Sequence, residues 1–230
     1  MSATAVNVAI SPLRFWQTTV GKKAVMAITG AMLFIFILGH LAGNLQVFES
    51  PEKINRYAAF LKSVPALLWS ARIILLLAVV LHIWSSFELW LLQRQARPVK
   101  YVKKQNIHST YASRTMMWSG PIILAFVIWH LLQFTFGAVH PGAPFSEENV
   151  YNNVVLGFQV WPVSLFYIIA MTMLCYHLYH GLWSMFQSLG INHPVYTPWI
   201  QVLAKVVAIV IAIGYISIPV AVLAGFLKPV

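Results

Sequence analysis

Aspartate is absent from this chain, and glutamate occurs only five times against fifteen lysines and arginines. Charged residues make up 9% of the sequence, where a soluble domain carries about a quarter. So little charge cannot cover the surface of a water-soluble domain of 230 residues, 60% of them hydrophobic. The composition is that of an integral membrane protein. The net charge of +10 does not point to nucleic acid, because the basic residues lie between and at the ends of apolar runs. That placement belongs to topology and lipid-headgroup contact.

Cysteine is nearly absent as well. Cys175 stands alone inside an apolar segment, which excludes an intrachain disulfide, a zinc ribbon, a cysteine-ligated iron–sulfur cluster and the C-x-x-C-H attachment of a c-type haem. The N-terminal stretch lacks a signal peptide's order of charge, apolar core and cleavage site. Ser11 to Trp16 reads as a short interfacial segment leading into the membrane.

What is present is length in apolar runs. Windows of about 20 apolar residues suffice to cross a bilayer, and five are expected at residues 24–46, 65–93, 115–137, 161–187 and 200–227. Pro65, Pro162 and Pro198 mark span starts, and Gly120-Pro121 allows a kink inside the third. The runs are continuous rather than alternating, which disfavours a β-barrel. The reading is one all-α domain over residues 1–230, a bundle of five transmembrane helices. Trp69, Trp90, Trp161 and Trp199 suit an interfacial belt.

Lys/Arg asymmetry gives a direction. Arg14, Lys22 and Lys23 precede the first span, and Arg94, Arg97, Lys100, Lys103, Lys104 and Arg114 fill the second connection. The third connection holds Glu147 and Glu148 and no basic residue. The expectation is a multi-pass protein of the inner (cytoplasmic) membrane, N-terminus in the cytoplasm and C-terminus outside.

Four histidines carry the chemistry. His40, His82, His130 and His177 lie one in each of the first four spans, each 15 to 17 residues after its span begins, roughly 25 Å along a helix. Because successive spans alternate in direction, His40 and His130 fall toward the outer face, and His82 and His177 toward the inner. Unpaired polar groups in hydrocarbon are costly, and ionisable residues there commonly mark function. Two tiers of paired imidazoles suit two non-covalent b-type haems with both axial positions filled, a state fitted to electron transfer. The plainer reading has each histidine bonding a polar neighbour across the bundle.

Several neighbours could contribute. His180, three residues after His177, shares much of its face and could be the ligand instead, a haem propionate partner or a quinone contact. Arg72 lies about 15 Å before His82 along the same helix, near the outer tier, and would either meet a propionate or snorkel to the headgroups. Trp84, Ser85 and Glu88 could line a quinone site near the inner tier. His108, His140 and His193 fall in connections and read as surface residues.

The segments GHLAGNLQVF (Gly39–Phe48) and YHLYHGLWSMFQSLG (Tyr176–Gly190) resemble the di-haem cytochrome b subunit of bacterial succinate:quinone oxidoreductase, the five-helix anchor of complex II. GKKAVMAITG (Gly21–Gly30), VLHIWSSF (Val80–Phe87) and SRTMMWSGPIILAFVIWHLLQF (Ser113–Phe134) are similar too. The resemblance runs from about residue 14 to 227. It implies an outer haem on His40 and His130 and an inner one on His82 and His177. It also implies a flavoprotein partner with FAD, an iron–sulfur partner, and menaquinone or ubiquinone as substrate. The basic second connection would serve as a docking face, and the complex could associate further. Some quinol-oxidising fumarate reductases of this kind carry glutamate two residues before the fourth-span ligand. Cys175 stands there, which tilts the expectation toward succinate oxidation. The cytochrome b subunit of a fumarate reductase, hydrogenase or formate dehydrogenase, a transporter and a structural membrane protein are the alternatives.

Overall fold

Helices begin where a small polar side chain can accept from the free amides of a first turn. Thr18, Ser50, Thr110 and Asn149 do this, accepting from the backbone N–H of Gly21, Lys53, Ser113 and Asn152. Pro51, Pro65, Pro162 and Pro198 sit in first turns, where a missing N–H costs nothing. The computed structural model describes residues 12–97, 99 and 109–230. His108 and the basic residues Lys100, Lys103 and Lys104 therefore lie outside the described residues.

The chain forms α1 (Pro12–Gln17), α2 (Thr19–Leu45), a 3-10 turn (Gln46–Phe48), α3 (Pro51–Ser63) and α4 (Pro65–Gln95). It continues as α5 (Tyr111–Phe134), α6 (Val150–Gln159), α7 (Trp161–Ser188) and α8 (Thr197–Leu223). There is no strand among the described residues. Five helices, α2, α4, α5, α7 and α8, are long and apolar enough to cross a membrane. They match the five expected spans to within five residues at each end. The expected interfacial segment is α1, with Ser11 beyond the described residues. Helix α5 runs unbroken through Pro121.

Two helices were not expected from hydropathy. α3 and α6 lie in the first and third connections and pack on each other, with α6 also against α7 and α8. Together they close one end of the bundle, the end at which α2 finishes. A cap of buried side chains, including Val47, Ile54, Val155, Phe158 and Tyr167, fills that end. Asparagines stitch it together. Asn55 accepts from the Tyr151 amide at 2.9 Å, and Asn153 both accepts from the Ser146 N–H and donates to the Ser146 carbonyl. His140 belongs to this cap rather than to the surface: its two ring nitrogens lie 2.8 and 3.2 Å from the carbonyls of Ala143 and Asn153. A residue in a polar connection reads as exposed when the helix that covers it is not foreseen. His193 is exposed, as expected.

Packing within the bundle is uneven. α7 packs closely on α8, α2 on α4, α5 on α7, and α2 on both α7 and α8. The pairs α2/α5 and α4/α7 are not among the close-packed ones. In their most apolar stretches α7 and α8 are each 39% buried, but α4 and α5 only 6%. The polypeptide by itself thus leaves α4 and α5 weakly covered on the sides that face across the bundle as well as toward lipid.

Candidate functional site

The two loosely packed helix pairs are the ones that carry the opposed histidines. His40 on α2 faces His130 on α5 with ring centroids 5.7 Å apart and ring planes at 88°. His82 on α4 faces His177 on α7 at 6.2 Å and 59°. The imidazoles reach across gaps that the backbones do not close.

Depth follows from α2. His82 Nδ1 lies 3.1 Å from the carbonyl of Met26 and 3.4 Å from Thr29 Oγ1, so this pair sits level with the first third of α2. His40 is 11 to 14 residues farther on, about 16–21 Å along the axis. On α5, Ser119 touches His177 at 3.4 Å, and His130 lies 11 residues beyond it, about 16 Å. The two measures agree on two tiers.

In three of the four rings Nδ1 is engaged by oxygen. Met26 offers His82 a carbonyl, which can only accept, so Nδ1 carries the proton. The Ser119 hydroxyl already donates to Met116, leaving its oxygen to accept from His177. His130 Nδ1 lies 3.3 Å from the Tyr167 hydroxyl. With the proton on Nδ1, Nε2 of His82 and of His177 keeps its lone pair. His40 has ring neighbours instead, stacked on Phe36 at 5.1 Å and 6.3 Å from the Tyr215 ring.

Glycine shapes the surroundings. A Cβ at Gly30 would meet His82 Cε1 at 3.2 Å, so only a glycine lets this imidazole lie so close to α2. At Gly39 beside His40, Gly120 beside Ser119 and Gly181 beside His180 an added Cβ would meet nothing within 4 Å, so open space adjoins these turns. Two imidazoles on opposite sides of one metal, each bonded at about 2 Å, have ring centres roughly 6 Å apart. Both pairs fall at that spacing. No group of three or more His, Cys, Asp or Glu suited to a metal occurs among the described residues. The donor set is thus two nitrogens per tier, right for a metal whose equatorial positions come from a macrocycle.

The structure pairs His177, not His180, with His82. His180 lies edge-on to Trp183 at 5.3 Å, and its buried Nδ1 has no hydrogen-bond partner. Arg72 is on an exposed face of α4, its guanidinium 5.0 Å from the Trp69 ring centroid, the arrangement of an interfacial anchor. Trp84, Ser85 and Glu88 do not share a cleft. Trp84 is 55% exposed, Ser85 is fully buried with its hydroxyl donating to Leu81, and Glu88 pairs with Lys22 at 2.8 Å. Residues 84 and 85 are about 100° apart around a helix, so they face different surroundings.

Two features escaped sequence reasoning. One is a buried cluster beside His130 made of Trp129, Gln133 and Tyr167. Its signal was a glutamine one turn after a histidine in an apolar span. The other is a cavity of about 400 Å³ at the end where α2 begins, lined by Thr110, Tyr179, Trp183, Gln187, Gln201 and neighbours.

A family model matches residues 91–213, described as the succinate dehydrogenase/fumarate reductase transmembrane subunit. The match covers just over half of the chain. The chain belongs to that family. The matched stretch of this succinate dehydrogenase/fumarate reductase transmembrane subunit contains His130 and His177 and begins after His40 and His82. The pairing of His40 with His130 and of His82 with His177 therefore stands on geometry. Neither a curated protein nor a solved structure matches the chain. Membership makes the chain a multi-pass membrane subunit of an oxidoreductase complex, and the five apolar helices agree with it.

Proposed function

We propose that this subunit carries electrons between succinate-oxidising partner subunits and membrane quinone through two bis-histidine haems b. The observation that supports this most is the double opposition of His40 to His130 and His82 to His177 across unpacked helix pairs, each near 6 Å. Haem bound there supplies one-electron chemistry with no open iron position.

The chain's own part is orientation and exclusion. Met26 and Ser119 hold Nδ1 of His82 and His177, which leaves the Nε2 lone pair of each to serve as the ligand. Gly30 sets the depth of His82, and Leu41, Leu178 and Ala208 help to seal the bundle centre from water. The partners in this reading are a flavoprotein with FAD and an iron–sulfur protein, docked on the basic face that includes Arg94 and Arg114. In this reading the N-terminus is on the cytoplasmic side of the inner membrane. Cys175, where a proton-carrying glutamate would favour quinol oxidation, supports succinate oxidation as the working direction. The cavity near α7 suits menaquinone or ubiquinone better than Trp84, Ser85 and Glu88. Its lining includes the Tyr179 hydroxyl, the Trp183 indole N–H and the Gln187 and Gln201 amides, groups that can donate to quinone carbonyls.

The test is a reduced-minus-oxidised visible spectrum of the purified chain with a haem assay. The expected result is a b-type α-band and two haems per chain. Absence of the band overturns the proposal.

A further inference from the structure

Beside His130 lies a set of hydrogen bonds whose direction is fixed by chemistry. The Trp129 indole N–H can only donate, and it points at Gln133 Oε1 at 2.9 Å. That contact decides which way round the Gln133 amide lies, since the reverse orientation would set donor against donor. The Tyr167 hydroxyl also lies on Oε1, at 3.0 Å. Facing an oxygen that only accepts, it must donate. Its own oxygen is then left to accept, and His130 Nδ1 is 3.3 Å away. The proton of the neutral imidazole therefore sits on Nδ1, and the lone pair of Nε2 is free.

Burial makes this sequence rigid. Gln133 is fully buried and Tyr167 is 6% exposed, so water does not offer an alternative partner. Gln133 Nε2 is left without a hydrogen bond, an arrangement buried amides usually avoid. It lies where Gly157 leaves room, because a Cβ there would be 2.8 Å from it. The amide keeps an unsatisfied nitrogen rather than turn over, which fits an orientation set by the two donors on its oxygen.

We propose that Trp129, Gln133 and Tyr167 are positioning residues, a one-way relay that fixes the tautomer of His130 and tunes the iron that His130 would hold. This rests on the haem reading above. A hydrogen bond accepted from Nδ1–H makes an imidazole a more basic ligand. A more basic ligand favours the more highly charged, oxidised iron and lowers its midpoint potential. Breaking the relay should raise the midpoint of the haem in this slot and leave the other haem alone.

The experiment uses the assembled complex, with a haem assay and a spectroscopic redox titration resolved into two components. Tyr167→Phe and Trp129→Phe should each keep two haems and move one component to a more positive midpoint, with haem release from that slot faster by about tenfold. Gln133→Glu keeps an acceptor facing both donors and should leave that midpoint at or below the wild-type value. Should Tyr167→Phe fail to assemble, Trp129→Phe carries the test. Two haems with both midpoints unchanged, or an equal shift of both, overturns the relay. A wild-type complex without two haems overturns the haem reading instead.

Discussion

His82 and His177 stand with ring centres 6.2 Å apart on α4 and α7, two helices that do not pack closely on each other. His180 is one turn from His177 and makes no such pair. Changing His177 to Ala should therefore lower the haem count from two to one, and His180→Ala should leave it at two. Pyridine haemochrome assays on the two purified variants measure this directly. Loss of a haem in the His180 variant alone would reverse the assignment.

Gly30→Ala probes the same tier from the other side. The new methyl would press on His82 Cε1 from 3.2 Å, closer than packed carbons normally sit. Occupancy of the His82/His177 slot should fall while the His40/His130 slot stays filled. Low-temperature optical spectra that resolve the two α-bands follow each slot separately.

Lys22 and Glu88 join the start of α2 to the last turns of α4. Their side chains are 10% and 32% accessible, so removing one partner strands a charge that water only partly reaches. Lys22→Met should cost about 1–2 kcal/mol. The double change Lys22→Met with Glu88→Leu should recover most of it. Thermal unfolding in detergent gives the comparison, and a double variant no better than the single one would show the pair to be inert.

Asn153 makes two bonds to Ser146, holding the connection after α5 against α6. Asn153→Ala leaves a backbone N–H and a carbonyl of that connection without their partner. The expected loss is about 1–3 kcal/mol, confined to the cap. Limited proteolysis between residues 137 and 149 should quicken, with the spectrum of the chain unchanged.

Hydropathy and helix direction were enough to read the five crossing helices and the two tiers, because each histidine sits at a similar offset in helices of alternating direction. The choice of His177 over His180 came from the family resemblance and not from that offset. α3 and α6 were not legible in the same way. Both are too short to cross a bilayer, and α3 is polar enough to pass for an ordinary connection, although Ser50-Pro51 and Asn149 carry the capping chemistry of helix starts. The Trp129–Gln133–Tyr167 cluster needed α5 and α7 brought together at one height, which spacing within either helix does not give. Trp84 and Ser85 were grouped for their place near the inner tier, and helical geometry turns them to different surroundings, one 55% exposed and the other fully buried.

The sparse cover of α4 and α5 bears on the life of the newly made polypeptide. In this reading part of the core is supplied by prosthetic groups rather than by side chains, so a chain made when porphyrin is scarce holds α4 mainly through α2 and α5 mainly through α7, without close packing of α2 on α5 or of α4 on α7 among the described residues. Molecules that bind the folded state alone stabilise it in proportion to the logarithm of their supply. The amount of this subunit that survives cellular proteolysis should therefore follow the cell's capacity to make haem, without any regulator having to measure it.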